Sequence, residues 1–247
     1  MDKLVYTAMT GARHILDRQA STANNLANVA TTGFRAQLDS FRAVPVVSEG
    51  LPTRSFVVNA TSGSDFSAGP IETTGRPLDV ALRGEGFIAV QSPDGSEAYT
   101  RNGSLKISQN GLLQTGAGHT LQGENGPIAI PPNTEIAIGA DGTVSVIDTN
   151  QTQPGPANVL GRIKLVNPPT AGLERGSDGL FRQRSGQPAD PDATVRLAEG
   201  ALEGSNVNPV DAMVDMIALA RSFDTQMSLL KNAENNAAKA TQILALN

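Results

Sequence analysis

Cysteine is absent from this 247-residue chain, and so is tryptophan; there are two tyrosines, seven phenylalanines and two histidines. Without cysteine there is no disulfide framework, no thiolate metal site and no cysteine nucleophile. Two histidines, His14 and His119, cannot build a His-rich metal cluster. An aromatic share of 4% requires a mostly aliphatic core. Positive charge is also short. The 19 Lys and Arg face 24 Asp and Glu, leaving a net charge of −5, which gives no electrostatic footprint for nucleic acid. No window approaches the roughly 18–20 apolar residues of a membrane span. Arg13, His14, Asp17 and Arg18 interrupt the N-terminal apolar residues, so neither membrane insertion nor a secretory leader is expected.

Glycine and proline divide the chain. Of 25 glycines only Gly11 precedes residue 31, and of 15 prolines only Pro209 follows residue 204. The ends therefore read as helix and the middle as β structure. In the first helix Val5, Ala8, Ala12, Ile15, Gln19, Thr22, Leu26 and Val29 recur at alternating steps of three and four, the period of a packed helix face. Gly33 can supply a left-handed residue past its end. In the last helix Asn208 is a good N-cap and Pro209 suits the first helical position. Its seam runs through Ala212, Met216, Leu219, Phe223, Gln226, Leu230, Ala233, Ala237, Ala240 and Leu244. Much of the far half is alanine, which buries little area and needs a close, extended partner.

The expected fold class is α+β: long N- and C-terminal helices paired as a coiled-coil-like core, with a central antiparallel β-rich domain. The expected division is residues 1–32 and 205–247 as a terminal helical core, 33–76 as an extended connector with short strands, and 77–204 as the β-rich domain. Within the last, Leu78, Val80 and Leu82 alternate with Asp79, Ala81 and Arg83, while Gly86–Val90 and Val159–Val166 read as buried strands. Six Asn-Gly or Asp-Gly pairs, at 94, 102, 110, 125, 141 and 178, signal hairpins or turns. Residues 148–158 and 183–193 read as polar loops.

A search for chemistry returns little. Phosphate-cradle, zinc-protease and serine-hydrolase motifs are missing. Asp178, Asp190 and Asp192 lack a calcium-loop pattern. No enzyme, cofactor or metal is expected. Assembly residues are instead expected on the helices: Val5, Ala8, Ala12, Ile15, Leu26 and Val29 on the first, and Met216, Leu219, Phe223, Leu230, Ala237 and Leu244 on the second. Asn25 and Asn28 join them, because Asn side chains both donate and accept and can link neighbouring backbones. A β-rich binding module oligomerised by its helices, with a ligand at the loops near 148–158, remains open on these grounds.

The segment ANNLANVATTGF (23–34) resembles the N-terminal signature of the flagellar axial proteins of rod and hook. LDVALRGEGFIAV (78–90), YTRNGSLKI (99–107) and GLLQTGAGHTLQGENGPIAIP (111–131) resemble that family's middle segments. SNVNPVDAMVDMIALARSFD (205–224) resembles its C-terminal signature. The order is right and the match spans nearly the whole chain. MDKLVYTAMTGA and RPLDVAL look most like the proximal-rod members, with distal-rod or hook-type subunits as the alternative. The resemblance implies a structural subunit of the flagellar basal-body rod, exported by the flagellum's own type III apparatus and assembled in the periplasm. Its implied neighbours are proximal rod proteins on one side and the distal rod protein on the other, with both terminal helices in the tube wall and the β domain outside.

Overall fold

The computed structural model describes residues 2–45, 55–148 and 157–244. Two helices bracket a succession of antiparallel strands, so the α+β class holds. The chain falls into two compact units. One comprises Met1–Asn28, Gln37–Asp65 and Val207–Asn247; the other comprises Val29–Ala36 and Phe66–Asn206.

The helical unit is built from α1 (Asp2–Ala27), α2 (Pro209–Leu244) and a hairpin of β1 (Gln37–Pro45) and β2 (Ser55–Ser64). The Asn208 side-chain oxygen accepts the Val210 N–H at 3.0 Å, so the expected cap starts α2. Its 36 residues span about 54 Å. Helix α1 packs on α2 and on both strands of the hairpin. The hairpin replaces much of the connector that sequence suggested. Its register runs from Gln37 opposite Ser64 to Pro45 opposite Ser55, with a bulge at Ser40/Phe41. Phe41 turns its ring edge-on to the His14 imidazole, centroids 5.4 Å apart. Residues 46–54 lie outside the described residues, as does most of the polar loop at 148–158.

Gly11 sits beside the Gln226 side chain, but a Cβ added there would lie 3.6 Å from the nearest atom, an ordinary contact. Close packing therefore does not demand glycine. Gly11→Ala is expected to stabilise the helical unit by up to about 1 kcal/mol, through helix propensity and a stiffer unfolded chain. Slower amide exchange along α1 would show it; faster exchange would mean that the backbone needs glycine after all.

The second unit carries most of the core. Its largest sheet has nine strands, with the order Leu173–Arg175, Phe181–Gln183, Glu97–Thr100, Phe87–Gln91, Thr120–Gly123, Leu113–Thr115, Leu105–Ile107. Gly126–Pro127 and Leu165–Val166 add to Thr120–Gly123 and Phe87–Gln91 respectively. A three-stranded sheet orders Thr134–Ile138, Thr143–Asp148 and Asn158–Arg162, and two-stranded pairs join Arg196–Glu199 to Val80–Arg83 and Ala201–Glu203 to Ile71–Thr73. An aliphatic core led by Val80, Leu82, Ile88, Val90, Leu105, Leu113, Leu121 and Leu197 fills the interior, as the shortage of aromatics required. A smaller cluster gathers Phe87, Tyr99 and Phe181.

Two strand expectations change. Val80–Arg83 does not alternate, because Asp79 and Ala81 are buried along with Val80 and Leu82; both faces of this strand are covered. The run 159–166 is not one buried strand. It divides into Asn158–Arg162, an edge strand with Val159 and Leu160 exposed, and the buried pair Leu165–Val166 in a different sheet.

Candidate functional site

The surface of the helical unit is where an assembling subunit would act. Helices α1 and α2 pack together, and their buried residues are Ala8 and Ala12 on the first and Ala212, Leu219 and Ala233 on the second. Val5, Ile15, Leu26, Met216, Phe223 and Leu230 are half-buried. Ala237 and Leu244 fall on the far part of α2, at positions whose side chains lie outside what is described. Val29 is not on the helix. Helix α1 ends at Ala27, and Val29 follows in a turn that belongs to the β-rich unit.

The two asparagines act within the chain. Asn25 pairs with the backbone of Gln37 as a strand residue would, donating from Nδ2 to the carbonyl at 3.0 Å and accepting the N–H at 2.7 Å. It thereby fixes where β1 begins against the end of α1. Asn28 Nδ2 donates to the Asn24 carbonyl at 2.9 Å, beside its own N–H on the same oxygen at 3.1 Å, and so reinforces the last turn of the helix.

A second apolar stripe on α2 was not anticipated. Val210, Met213, Val214 and Ile217 are 64%, 53%, 59% and 56% exposed. At 100° per residue they centre about 140° around the helix from the seam of Ala212, Met216, Leu219 and Phe223. Four large aliphatic side chains thus lie on the side of α2 away from its α1-facing seam. On α1, Tyr6, Met9 and Leu16 are exposed beside the buried seam. The signal was in the sequence: apolar residues at 210, 213, 214 and 217 have helical spacing of their own.

The β-rich unit holds a different feature, a buried ionic clasp. Glu203 is 1% exposed. Its Oε1 accepts from Arg35 Nη2 at 2.6 Å, from the Gly69 N–H at 3.0 Å and from Arg101 Nη1 at 3.1 Å, and its Oε2 accepts from Arg101 Nη1 at 2.9 Å. Arg101 spends its remaining nitrogens on the carbonyls of Gly86 (2.9 Å) and Gly84 (2.5 Å). Burial pulls the Arg101 guanidinium below its ordinary pKa, opposed by the Glu203 carboxylate. Arg175 lies 4.3 Å over the Phe34 ring and donates to the Arg35 carbonyl at 3.0 Å. Gly33 does adopt the left-handed conformation, φ +68°, but six residues beyond α1, in a turn closed by the Phe34 N–H on the Thr31 carbonyl. A Cβ there would overlap the Arg101 backbone, so close approach is what demands glycine.

A surface cavity of about 380 Å³ lies nearby, lined by Phe66, Glu85, Phe87, Arg101, Asn167 and Thr170 among others. The Arg101 nitrogens in its wall are already committed. Among the described residues no three His, Asp or Glu side chains gather as a metal site, and no helix is long and apolar enough to cross a membrane.

Residues 81–146 match the flagellar hook protein FlgE/F/G D1 domain, and residues 198–243 match the flagellar basal body rod FlgEFG protein C-terminal domain. The flagellar basal-body rod protein FlgF of Escherichia coli is 48% identical over 255 residues, covering all of both chains. This chain belongs to the flagellar basal-body rod protein family. FlgF of Salmonella typhimurium is 45% identical, again over the whole of both chains. The rod protein FlgG of Buchnera aphidicola from Schizaphis graminum is 34% identical over 90% of this chain and 92% of its own. The rod assignment from the sequence motifs is borne out. The C-terminal match contains the outer stripe of α2 together with Glu203, and the D1 match contains Arg101. This rod protein is a structural subunit of the basal-body rod, and the family is one of structural proteins.

Proposed function

We propose that this proximal rod subunit contributes its terminal helices to the wall of the rod, pairing them in coiled-coil fashion and stacking them against the helices of neighbouring subunits. The observation that carries this is the outer stripe of α2: Val210, Met213, Val214 and Ile217, more than half exposed in the single chain. An isolated soluble protein gains nothing from such a stripe, whereas a neighbour's helix removes it from water. The stripe and the flank of α1 are different surfaces, so contact between them is head-to-tail. Repeated head-to-tail contacts give a helical filament rather than a closed dimer. Such a wall transmits torque along its length and encloses the export channel. On this reading the neighbours are other proximal rod proteins on one side and the distal rod protein on the other, and the chain reaches the periplasm through the flagellar type III apparatus.

The missing cysteines make the test clean. Single cysteines introduced at Val214 and at Met9 are the only thiols in the chain. In isolated basal bodies, mild oxidation of subunits carrying either cysteine, beside neighbours with cysteines on their own helices, is expected to give cross-linked pairs. A cysteine at Asp94, in an exposed turn of the β-rich unit, is expected to give none with the same neighbours. Absence of any cross-link through Val214 would remove the stripe from the wall.

A further inference from the structure

We infer that Glu203 makes the three chain segments at the margin of the β-rich unit open and close as one. These segments are 29–36, 66–70 and 201–206. The chain enters or leaves this unit at their outer ends, after residues 28, 36, 65 and 206. Segment 201–206 is bonded to both others and links them. The Gly33 N–H donates to the Glu203 carbonyl at 2.7 Å, and Arg35 reaches the Glu203 carboxylate. The Gly69 N–H donates to the same carboxylate, and the Gly204 N–H donates to the Pro70 carbonyl at 2.8 Å. Asn206 repeats the pattern one step on. Its Oδ1 accepts the Ala36 N–H at 2.7 Å, and its Nδ2 donates to the Ser67 carbonyl at 3.1 Å. Gly69 and Gly204 approach so closely that a Cβ on Gly69 would overlap the Gly204 carbonyl.

Cooperativity follows from how one carboxylate is shared. Its Oε1 serves donors from residues 35, 69 and 101 at once. Arg35 is 1% exposed, and its Nε and Nη1 find no hydrogen-bond partner among the described residues. Glu203 is the carboxylate that compensates its charge. If one segment peeled away alone, the carboxylate would lose a donor while the charges left behind stayed buried. Parting 29–36 from 201–206 alone therefore costs nearly as much as opening all three, while 66–70 is held to them by the Gly69 donor and the Gly204 and Asn206 bonds. Segments joined in this way exchange their amides as one unit.

The test is residue-resolved hydrogen exchange on the full chain, comparing the natural protein with Glu203→Gln. The amides to watch are those of Gly33, Ala36 and Gly204, because none of them bonds to the Glu203 carboxylate. All three are expected to exchange about tenfold or more faster in the variant, by a common factor, with Leu113 in the sheet core accelerated by no more than that factor. Acceleration confined to Gly69, the direct backbone partner of the carboxylate, would overturn the inference. If Glu203→Gln does not fold, Asn206→Ala approaches from the other side. It removes the bond to Ala36 directly, and the coupling requires Gly33 and Gly69 to accelerate with it. A change at Ala36 alone would overturn the inference equally.

Discussion

Glu203→Leu is expected to lower the stability of the β-rich unit by about 3–5 kcal/mol, the cost of leaving a buried charge without its partner. Here two guanidinium groups lose their carboxylate together, Arg35 with 0% and Arg101 with 4% of the side chain exposed. The decisive measurement is a double-mutant cycle. Arg35→Met removes the other half of the 2.6 Å pair. Among the described residues its guanidinium bonds to Glu203 alone, and Nε and Nη1 have no partner. Once Glu203 is Leu, removing the Arg35 charge should therefore restore part of the loss. The double variant is expected to be more stable than the sum of the single changes by about 1–3 kcal/mol. Denaturant unfolding can follow this through tyrosine fluorescence. In a Tyr6→Phe background, Tyr99, buried in the β-rich unit, is the sole tyrosine and there is no tryptophan. Strict additivity would show that the two residues share a region without sharing an interaction.

This clasp was the least legible part of the sequence. Arg35 and Glu203 are 168 positions apart, and nothing local marks either as buried. Arg35 follows Gly33-Phe34 in a motif that stood out only by resemblance, and Glu203 sits in an Ala-Leu-Glu-Gly stretch that reads as a plain edge strand. What could have drawn notice is a lone charge inside each of three segments with turn residues on both sides: Arg35, Arg101 and Glu203.

Local features transferred better, because local chemistry decides them. Asn208 and Pro209 start α2 where caps require. Five of the six Asx-Gly pairs sit between paired strands; Gly95, Gly111, Gly126, Gly142 and Gly179 all have positive φ. Asn102-Gly103 is the exception. Gly103 is not left-handed; a Cβ there would overlap the Val80 carbonyl oxygen, and its own carbonyl accepts the Val80 N–H at 3.0 Å. Glycine was needed, but for a close crossing rather than a turn. The β1–β2 hairpin escaped notice because it does not alternate cleanly: Leu38 is exposed and Phe41 half-buried, with a bulge before Phe41 shifting the register. The helix seams were found by their period, but a period finds one stripe at a time, and α2 carries two.

That second stripe separates folding from assembly, and Ile217→Asp is the variant that exploits it. Ile217 is 56% exposed and points away from the α1-facing seam, so a carboxylate there stays in water in the free chain. In a packed wall the same carboxylate would be buried without a partner. A change of this kind at the centre of an interface costs about 2–4 kcal/mol, or roughly 30- to 1,000-fold in affinity. The free protein is therefore expected to unfold at the same denaturant concentration as the natural one, while its incorporation into basal bodies and the motility that depends on it are lost. Leu219→Asp would be a poorer test. Leu219 is 6% exposed on the α1-facing seam, so a charge there damages the helical unit itself, and lost assembly would follow from lost folding. Ser222→Asp supplies the control, since Ser222 is exposed and lies off both stripes; it is expected to incorporate normally. Full motility with Ile217→Asp would mean that the outer stripe meets no neighbour, and that the wall is built through the flank of Tyr6, Met9 and Leu16 alone.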